Sequence, residues 1–378
     1  MKKMEGRMLE LLRTMEQNGI KDGDSRRSRI YQRALNQEFR LAGKPQVGVL
    51  ELTPQCNLDC KMCYVHLRPE QMGNRKLIDA GQWIAWIDEA IKLGLSGVQL
   101  TGGEAMMHPG FDEIYLYLLQ KGIRVTVMTN GLLLNEERID FFKKNRPVSV
   151  QVTMYGGSED GYEKVTGHRG YEKVKKHLLA AKEIGCRLVV TMTPSRYFGK
   201  EDALAVQSFA RDNEIPLIIN NDLNEPRGDT GRTLSQFDLT LEEYLDIHRA
   251  LSSHPQESKP LDAFPLPGTN QEPCKGLKCG AGRSMFCITW EGNMKACFDL
   301  PEWFSLKEYT LEEAWRKVND TAENYHVPSE CQGCAYHDVC NLCPAVHMQN
   351  APVGHVDRFI CNRTRHLVAE GLVQLKTK

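Results

Sequence analysis

The chain has 378 residues, with 48 Lys and Arg against 49 Asp and Glu, for a formal net charge of −1. That length suits about two or three domains with a sizeable core; the balanced charge, with no basic stripe, argues against nucleic acid as a partner, and no apolar run is long enough to cross a bilayer. Thirteen cysteines, in a chain whose start is interrupted by charge before any signal region could form, fit metal ligation in a reducing cytoplasm better than a disulfide framework.

Residues 1–45 are highly charged. Met4, Met8, Leu11, Leu12 and Met15 recur at helical spacing, and a second polar helix is expected over about 25–41. The pair reads as a helical cap on the next domain, with a substrate-recruiting segment as the alternative. From Val47 to about Asn221 the pattern alternates. Strands are expected at 47–53, 97–101, 123–129, 148–154, 187–192 and 216–220, with helices near 79–93, 110–121, 135–144, 171–184 and 201–212. Asp79 is a candidate N-cap, Trp83, Ile84, Ile87 and Ile91 a buried stripe, and Gly94, Gly122 and Gly185 helix stops. Repeated strand–helix units with right-handed crossovers imply a parallel sheet, with chemistry at the carboxyl ends of its strands.

Directly after the first strand, Cys56, Cys60 and Cys63 form Cys-x3-Cys-x2-Cys. Three thiolates this close can grip one face of a cubane iron–sulfur cluster, whose usual complement is four. One iron is then open to another ligand, as in a catalytic rather than a structural metal site. A zinc knuckle or a redox motif is the plainer alternative. The second strand ends in Gly102-Gly103-Glu104, where a backbone can approach a ligand closely and a carboxylate can accept from an ammonium. The third ends in Met128-Thr129-Asn130-Gly131, and alternation along the fourth aims Gln151, Thr153 and Tyr155 at one face.

Past residue 222 the chain changes character. A loop around Pro226 and Arg227 leads to a helix over Leu241–Ile247, then to a stretch holding Pro255, Pro260, Pro265, Pro267 and Pro273, a linker or covering loop. Cysteines at 274, 279, 287, 297, 331, 334, 340, 343 and 361 follow, with Glu291-Gly292-Asn293 as the turn of a hairpin. Five cysteines between 331 and 361 are too compact to be core decoration and read as ligands. Cys186 reads as plain core.

Cys56, Cys60, Cys63 and Tyr64, with Gly102, Gly103 and Glu104 one unit later, resemble the signature of radical S-adenosylmethionine (SAM) enzymes, over roughly 47–365. The resemblance implies a partial (β/α)6 barrel and a cluster whose open iron binds the methionine moiety. One electron from that cluster would cleave the sulfonium to a 5′-deoxyadenosyl radical. It further implies cofactor contacts from Tyr64, Gly102, Gly103, Glu104, Asn130 and Thr153. The C-terminal field resembles the cysteine-rich SPASM extension, with two auxiliary [4Fe–4S] clusters. By that resemblance Cys274, Cys279, Cys297 and Cys343 hold the first, and Cys331, Cys334, Cys340 and Cys361 the second. Two residues separate Cys340 from Cys343 where three are commoner, and Cys287 is an extra thiol able to replace Cys274. Asp299 lies one place beyond a proton-accepting carboxylate proposed in sulfatase maturases; a solvated loop carboxylate is the alternative.

The expected organisation is a helical segment at 1–45, the barrel at 46–225, a helix and Pro-rich linker at 226–273, and the auxiliary-cluster domain at 274–378. The leading reading is a cytoplasmic oxidoreductase that modifies, for example cross-links, a ribosomally made peptide, supplied with electrons by a flavodoxin- or ferredoxin-type donor. The second keeps the chemistry but acts on a small molecule: an alcohol, sugar or tetrapyrrole side chain. A third is a non-catalytic electron carrier or zinc scaffold.

Overall fold

The computed structural model describes residues 2–22, 24–227, 230–253, 277, 279–326 and 328–375, the last without 332, 337–338, 341–342, 350 and 353. Its strands are β1 (Val47–Glu51), β2 (Gly97–Thr101), β3 (Arg124–Thr129), β4 (Ser149–Thr153), β5 (Leu188–Met192), β6 (Leu217–Ile219), β7 (Met285–Ile288), β8 (Asn293–Lys295) and β9 (Phe304–Ser305). Its helices are α1 (Lys2–Gln17), α2 (Ser25–Leu41), α3 (Pro69–Met72), α4 (Ala80–Leu93), α5 (Phe111–Gln120), α6 (Glu136–Lys144) and α7 (Glu159–Thr166). They continue as α8 (Tyr171–Glu183), α9 (Lys200–Asp212), α10 (Leu241–Ser252), α11 (Leu311–Asn324), α12 (Pro344–Met348) and α13 (Arg358–Ala369).

The first six strands pair in parallel in chain order, the partial barrel that the repeated strand–helix units imply. The strands alternate as their sequences do: in β3, Val125, Val127 and Thr129 are buried while Arg124, Thr126 and Met128 are half-buried. The buried row meets helices carrying Trp83, Phe111, Tyr115 and Phe142, all in one continuous core; each such ring contributes about 1.5–3 kcal/mol by leaving water. Asp79 caps α4, its side chain accepting from the Gln82 N–H at 2.9 Å. Gly94 ends that helix at φ 124°, where its N–H reaches the Ala90 and Ile91 carbonyls.

The structure departs from expectation in three places. Along α4 the deeply buried residues are Trp83, Trp86, Ile87 and Ala90, whereas Ile84 and Ile91 are only half-buried. Trp86 packs edge-on against Trp83 at 5.4 Å, so the buried stripe runs through the two tryptophans. Helix α7, capped by Ser158 and ended by Gly167 at φ 75°, occupies what reads as loop. The C-terminal hairpin is not a separate layer: β7 pairs in parallel with β1, Val49 opposite Cys287, and β8 and β9 continue the same nine-stranded sheet. Gly292, at φ 86°, makes the expected turn.

Helices α1 and α2 hold their own small core of Met8, Leu11, Met15, Ile20, Ile30 and Ala34. Gln32 of α2 accepts from Arg124 of β3, and just beyond α2 the Gly43 carbonyl accepts from Trp315 of α11 at 3.0 Å. Outside the barrel, α10 lies against α13, clipped by Arg249 to both carboxylate oxygens of Glu370 at 2.7 and 2.9 Å. The expected Pro-rich linker at 255–273 and Cys274 lie outside the described residues.

Candidate functional site

A cavity of about 550 Å³ opens at the carboxyl ends of the barrel strands, lined by Cys60, Cys63, Tyr64, Gly102, Gly103, Thr129, Asn130, Thr153 and Tyr155 among others. The cysteine loop is fastened to the end of β2. Gly103 N–H donates to the Thr53 carbonyl at 2.7 Å, and Glu104 N–H to Gln55 at 2.8 Å. That contact is why glycine stands at both positions. A Cβ on Gly102 would sit 2.5 Å from the Thr53 oxygen, and one on Gly103 2.4 Å from the Gln55 oxygen. On the other side, Asp59 and Lys61 donate to Thr166 and Val165 at the end of α7, at 3.2 and 3.0 Å.

Cys56 and Cys63 are half-buried and Cys60 is buried. Asn130 Nδ2 points at Cys56 Sγ (3.6 Å) and donates to Asn57 Oδ1 (2.6 Å), and the His66 N–H points at Cys63 Sγ (3.2 Å). N–H groups aimed at sulfur suit a thiolate ligand. Burial pushes the Cys56 thiol up to about 12, and Cys60 and Cys63 upward as well. Metal binding at these sulfurs must therefore release protons. Among the described residues, no group of three or more His, Cys, Asp or Glu is gathered so as to hold a single metal ion. Thiolates of a cubane bind different irons and stand further apart than the ligands of one ion.

Glu104 is buried and accepts from Thr129 Oγ1 (2.8 Å), Asn130 N–H (2.9 Å) and Met106 N–H (3.2 Å). Both its oxygens accept from protein groups, and it braces the turn that carries Asn130. Burial raises its pKa, against the pull of those donors. The Tyr64 ring lies 6.3 Å from that of Phe298 and carries the Arg227 guanidinium at 6.0 Å. Thr153 lines the cavity wall, as strand alternation expects.

Two groups of C-terminal cysteines come together. Cys297 lies within the electrostatic reach of Cys343 and Cys279, and burial raises its thiol to about 12. Cys331 lies within reach of Cys361, Cys340 and Cys334, and burial lifts it to about 11. Among the described residues no cysteine is in a disulfide. Cys287 is buried in β7, with Cys297, Glu51 and Asp299 nearby, a core position that also neighbours the first group. Cys186 is buried in the barrel core. Asp299 accepts from Cys297 Sγ at 3.7 Å, with a pKa raised by burial, and lies within reach of the Tyr64 phenol.

Several residues at this site were not singled out by sequence. Glu51, fully buried at the end of β1, takes Arg227 at 2.9 Å and the Trp290 N–H at 3.5 Å. Asp222 lines the cavity and pairs with Arg363 of α13 at 2.7 Å. The signal for Glu51 was available: a carboxylate inside the apolar run Val47-Gly48-Val49-Leu50-Glu51-Leu52 needs a partner when buried.

An open parallel sheet with three thiols at the mouth of its first strand defines the class, and residues 50–209 match the family model of the radical SAM superfamily. Over that stretch the chain is similar to radical SAM enzymes, and a cysteine-rich segment follows the barrel strands in sequence. It is similar to the antilisterial bacteriocin subtilosin biosynthesis protein AlbA of Bacillus subtilis (strain 168), 24% identical over 274 residues, which cover 69% of this chain and 57% of AlbA. The chain thus spans little more than half the length of that relative. It is also similar to the Fe-coproporphyrin III synthase of Methanosarcina barkeri (strain Fusaro / DSM 804), 22% identical over 347 residues, 79% of this chain and 82% of that protein. Among solved structures, Streptococcus suis SuiB bound to S-adenosylmethionine superposes with a TM-score of 0.64 at 14% identity, over 92% of this chain and 86% of SuiB. At that identity the likeness speaks for the fold.

Proposed function

We propose that this protein cleaves S-adenosylmethionine reductively and oxidatively modifies a ribosomally synthesised peptide. The observation that carries the chemistry is the cavity at the barrel mouth, with Cys60 and Cys63 in its wall and N–H donors aimed at Cys56 and Cys63. The peptide is supported by the likeness to AlbA and by the SuiB fold, which is also known with its precursor peptide SuiA.

The donor set fits the group. Cys56, Cys60 and Cys63 would hold the cluster, with Tyr64, Gly102, Gly103, Glu104, Asn130 and Thr153 around the cofactor. When bound, the cluster and S-adenosylmethionine supply a one-electron reductive cleavage that yields a hydrogen-abstracting radical. The chain's own part is to hold that pair dry and oriented. Asn130 fixes Cys56, Glu104 fixes the Asn130 turn, and the Gly102–Gly103 backbone keeps the cysteine loop against β2. Cys274, Cys279, Cys297 and Cys343 would hold the first auxiliary cluster, and Cys331, Cys334, Cys340 and Cys361 the second. Asp299, which accepts from Cys297 of the first group, would accept the proton released when the substrate is oxidised.

The division at 1–45, 46–225, 226–273 and 274–378 belongs to the same reading, although the 285–305 hairpin shares the barrel's sheet. So do a flavodoxin- or ferredoxin-type donor and a cytoplasmic setting. No helix of the described residues is long and apolar enough to cross a membrane. A small-molecule substrate is the second reading, favoured by the likeness to Fe-coproporphyrin III synthase along most of its length.

The test is anaerobic incubation of the reconstituted, reduced protein with S-adenosylmethionine, read as 5′-deoxyadenosine. A short peptide encoded beside its gene is then added and its mass followed. Deoxyadenosine with a mass loss on the peptide is the expected result. Deoxyadenosine without peptide change points to the small molecule, and none with intact clusters would favour a non-catalytic carrier.

A further inference from the structure

The cysteine loop is held by backbone contacts to β2 and α7, but one of its fastenings is charged and comes from far along the chain. Arg232, from the segment after β6, is 13% exposed and donates from Nη2 to Asp59 Oδ1 at 2.6 Å. Its Nη1 reaches the His66 carbonyl at 3.5 Å. Asp59 immediately precedes Cys60, and His66 follows Cys63 by three residues, its N–H being the one aimed at the Cys63 sulfur. One guanidinium fork therefore grips the loop on both sides of two thiols. The arginine is itself held: its N–H reaches Thr230 Oγ1 at 3.3 Å, and that hydroxyl donates to the Arg227 carbonyl at 2.7 Å. Arg227 in turn is anchored by its N–H to the Tyr64 carbonyl at 3.2 Å and by its side chain to Glu51.

Asp59 has other cations near it. Arg68 pairs with its second oxygen but is 60% exposed, and His66 Nδ1 stands 3.3 Å away. Burial pushes the His66 imidazole toward its neutral form. Arg232 is thus the more buried of the two arginines on Asp59, and solvent screens it less. Its charge acts on Cys60 and Cys63 in the thiolate-favouring direction, against burial.

We propose that Arg232 is a positioning residue for the cluster-binding loop, holding Asp59 and His66 about the Cys60–Cys63 pair and supplying the fixed positive charge beside it. The proposal rests on the reading that these cysteines hold an iron–sulfur cluster. Two consequences separate it from a plain structural contact. A fixed cation makes a nearby cluster easier to reduce and a fixed anion harder, since potentials follow local charge. Lysine keeps the charge but not the two-pronged grip.

The experiment is an EPR-monitored reductive titration of the reconstituted full chain. The site cluster is identified as the reduced signal that changes on adding S-adenosylmethionine, and iron content and thermal melting are measured alongside. R232Q is expected to shift the midpoint of that signal negative, D59N to shift it positive, and R232K to leave it near wild type while S-adenosylmethionine cleavage falls at least several-fold. Should R232Q lose the site signal, its return in R232K supports the charge role equally. A midpoint in R232Q equal to wild type, or a negative shift in D59N as well, would overturn the proposal. A wild-type chain with no S-adenosylmethionine-responsive signal would instead overturn the cluster reading, and the proposal with it.

Discussion

The cysteines of the barrel mouth and those at 331, 340 and 361 are built into the molecule in opposite ways, whereas Cys297 and Cys343 pack against the main core as Cys56 and Cys63 do. Cys60 lies within the main core, among Leu58, Met62 and the strands and helices of the barrel, and Cys56 and Cys63 pack against it. Their loop rests on a frame that apolar packing has already made. Among the described residues Cys331 forms a small core with Val356, against which Cys340 and Cys361 are packed, and Cys334 is exposed. There, thiols are much of the packing. On the proposed reading, in which these thiols hold a cluster, this segment would draw much of its stability from metal, as small metal-binding domains do, while the barrel would not.

The largest expected effect breaks the first half of this comparison. Cys60→Ala should abolish S-adenosylmethionine cleavage while auxiliary iron and the barrel's thermal transition persist; iron analysis and 5′-deoxyadenosine chromatography check it, and loss of all iron would contradict the separation. Next, stripping iron with a chelator under reducing conditions should expose residues 328–375 to protease while 47–220 stays protected, as mass mapping of the first cuts would show. Equal protection of both regions would remove the contrast. A sharper probe is Gly103→Ala. Its Cβ would meet the Gln55 oxygen at 2.4 Å and the Pro54 oxygen at 2.7 Å, so the cysteine loop must move. A cost of about 1–3 kcal/mol, felt at the site, corresponds to roughly a 5- to 160-fold slower cleavage, with auxiliary iron unchanged. Smallest of all, Arg249→Ala removes an exposed clip between α10 and α13. Exposed pairs stabilise little, so the melting temperature should scarcely change.

The barrel was legible because local chemistry and global fold agree there. Period-two strands such as Arg124–Thr129, the Asp79 cap and the Gly94 stop each point to the same element. The cysteine loop was legible because its spacing is itself the chemistry. Long-range partnerships were not. Nothing near Glu51 announces Arg227, 176 positions away, and nothing in Arg232 announces Asp59. Helix α7 was hidden because its apolar side is only Tyr162 and Val165, too short a repeat to stand out, although its cap and stop residues were in view. The β7 hairpin was recognised as a hairpin. Its place beside β1 follows from three-dimensional closure alone, which no short window carries.

That placement bears on how the chain is made. A nascent chain released as far as residue 220 has β1 joined to β2 but still presents a bare row of N–H and C=O groups on its other flank, since Met285–Ile288 has yet to be synthesised. Open rows of this kind recruit any extended segment at hand, including the same hairpin from a second copy. Completing the last third of the chain therefore protects the barrel against intermolecular exchange, a service quite separate from holding iron.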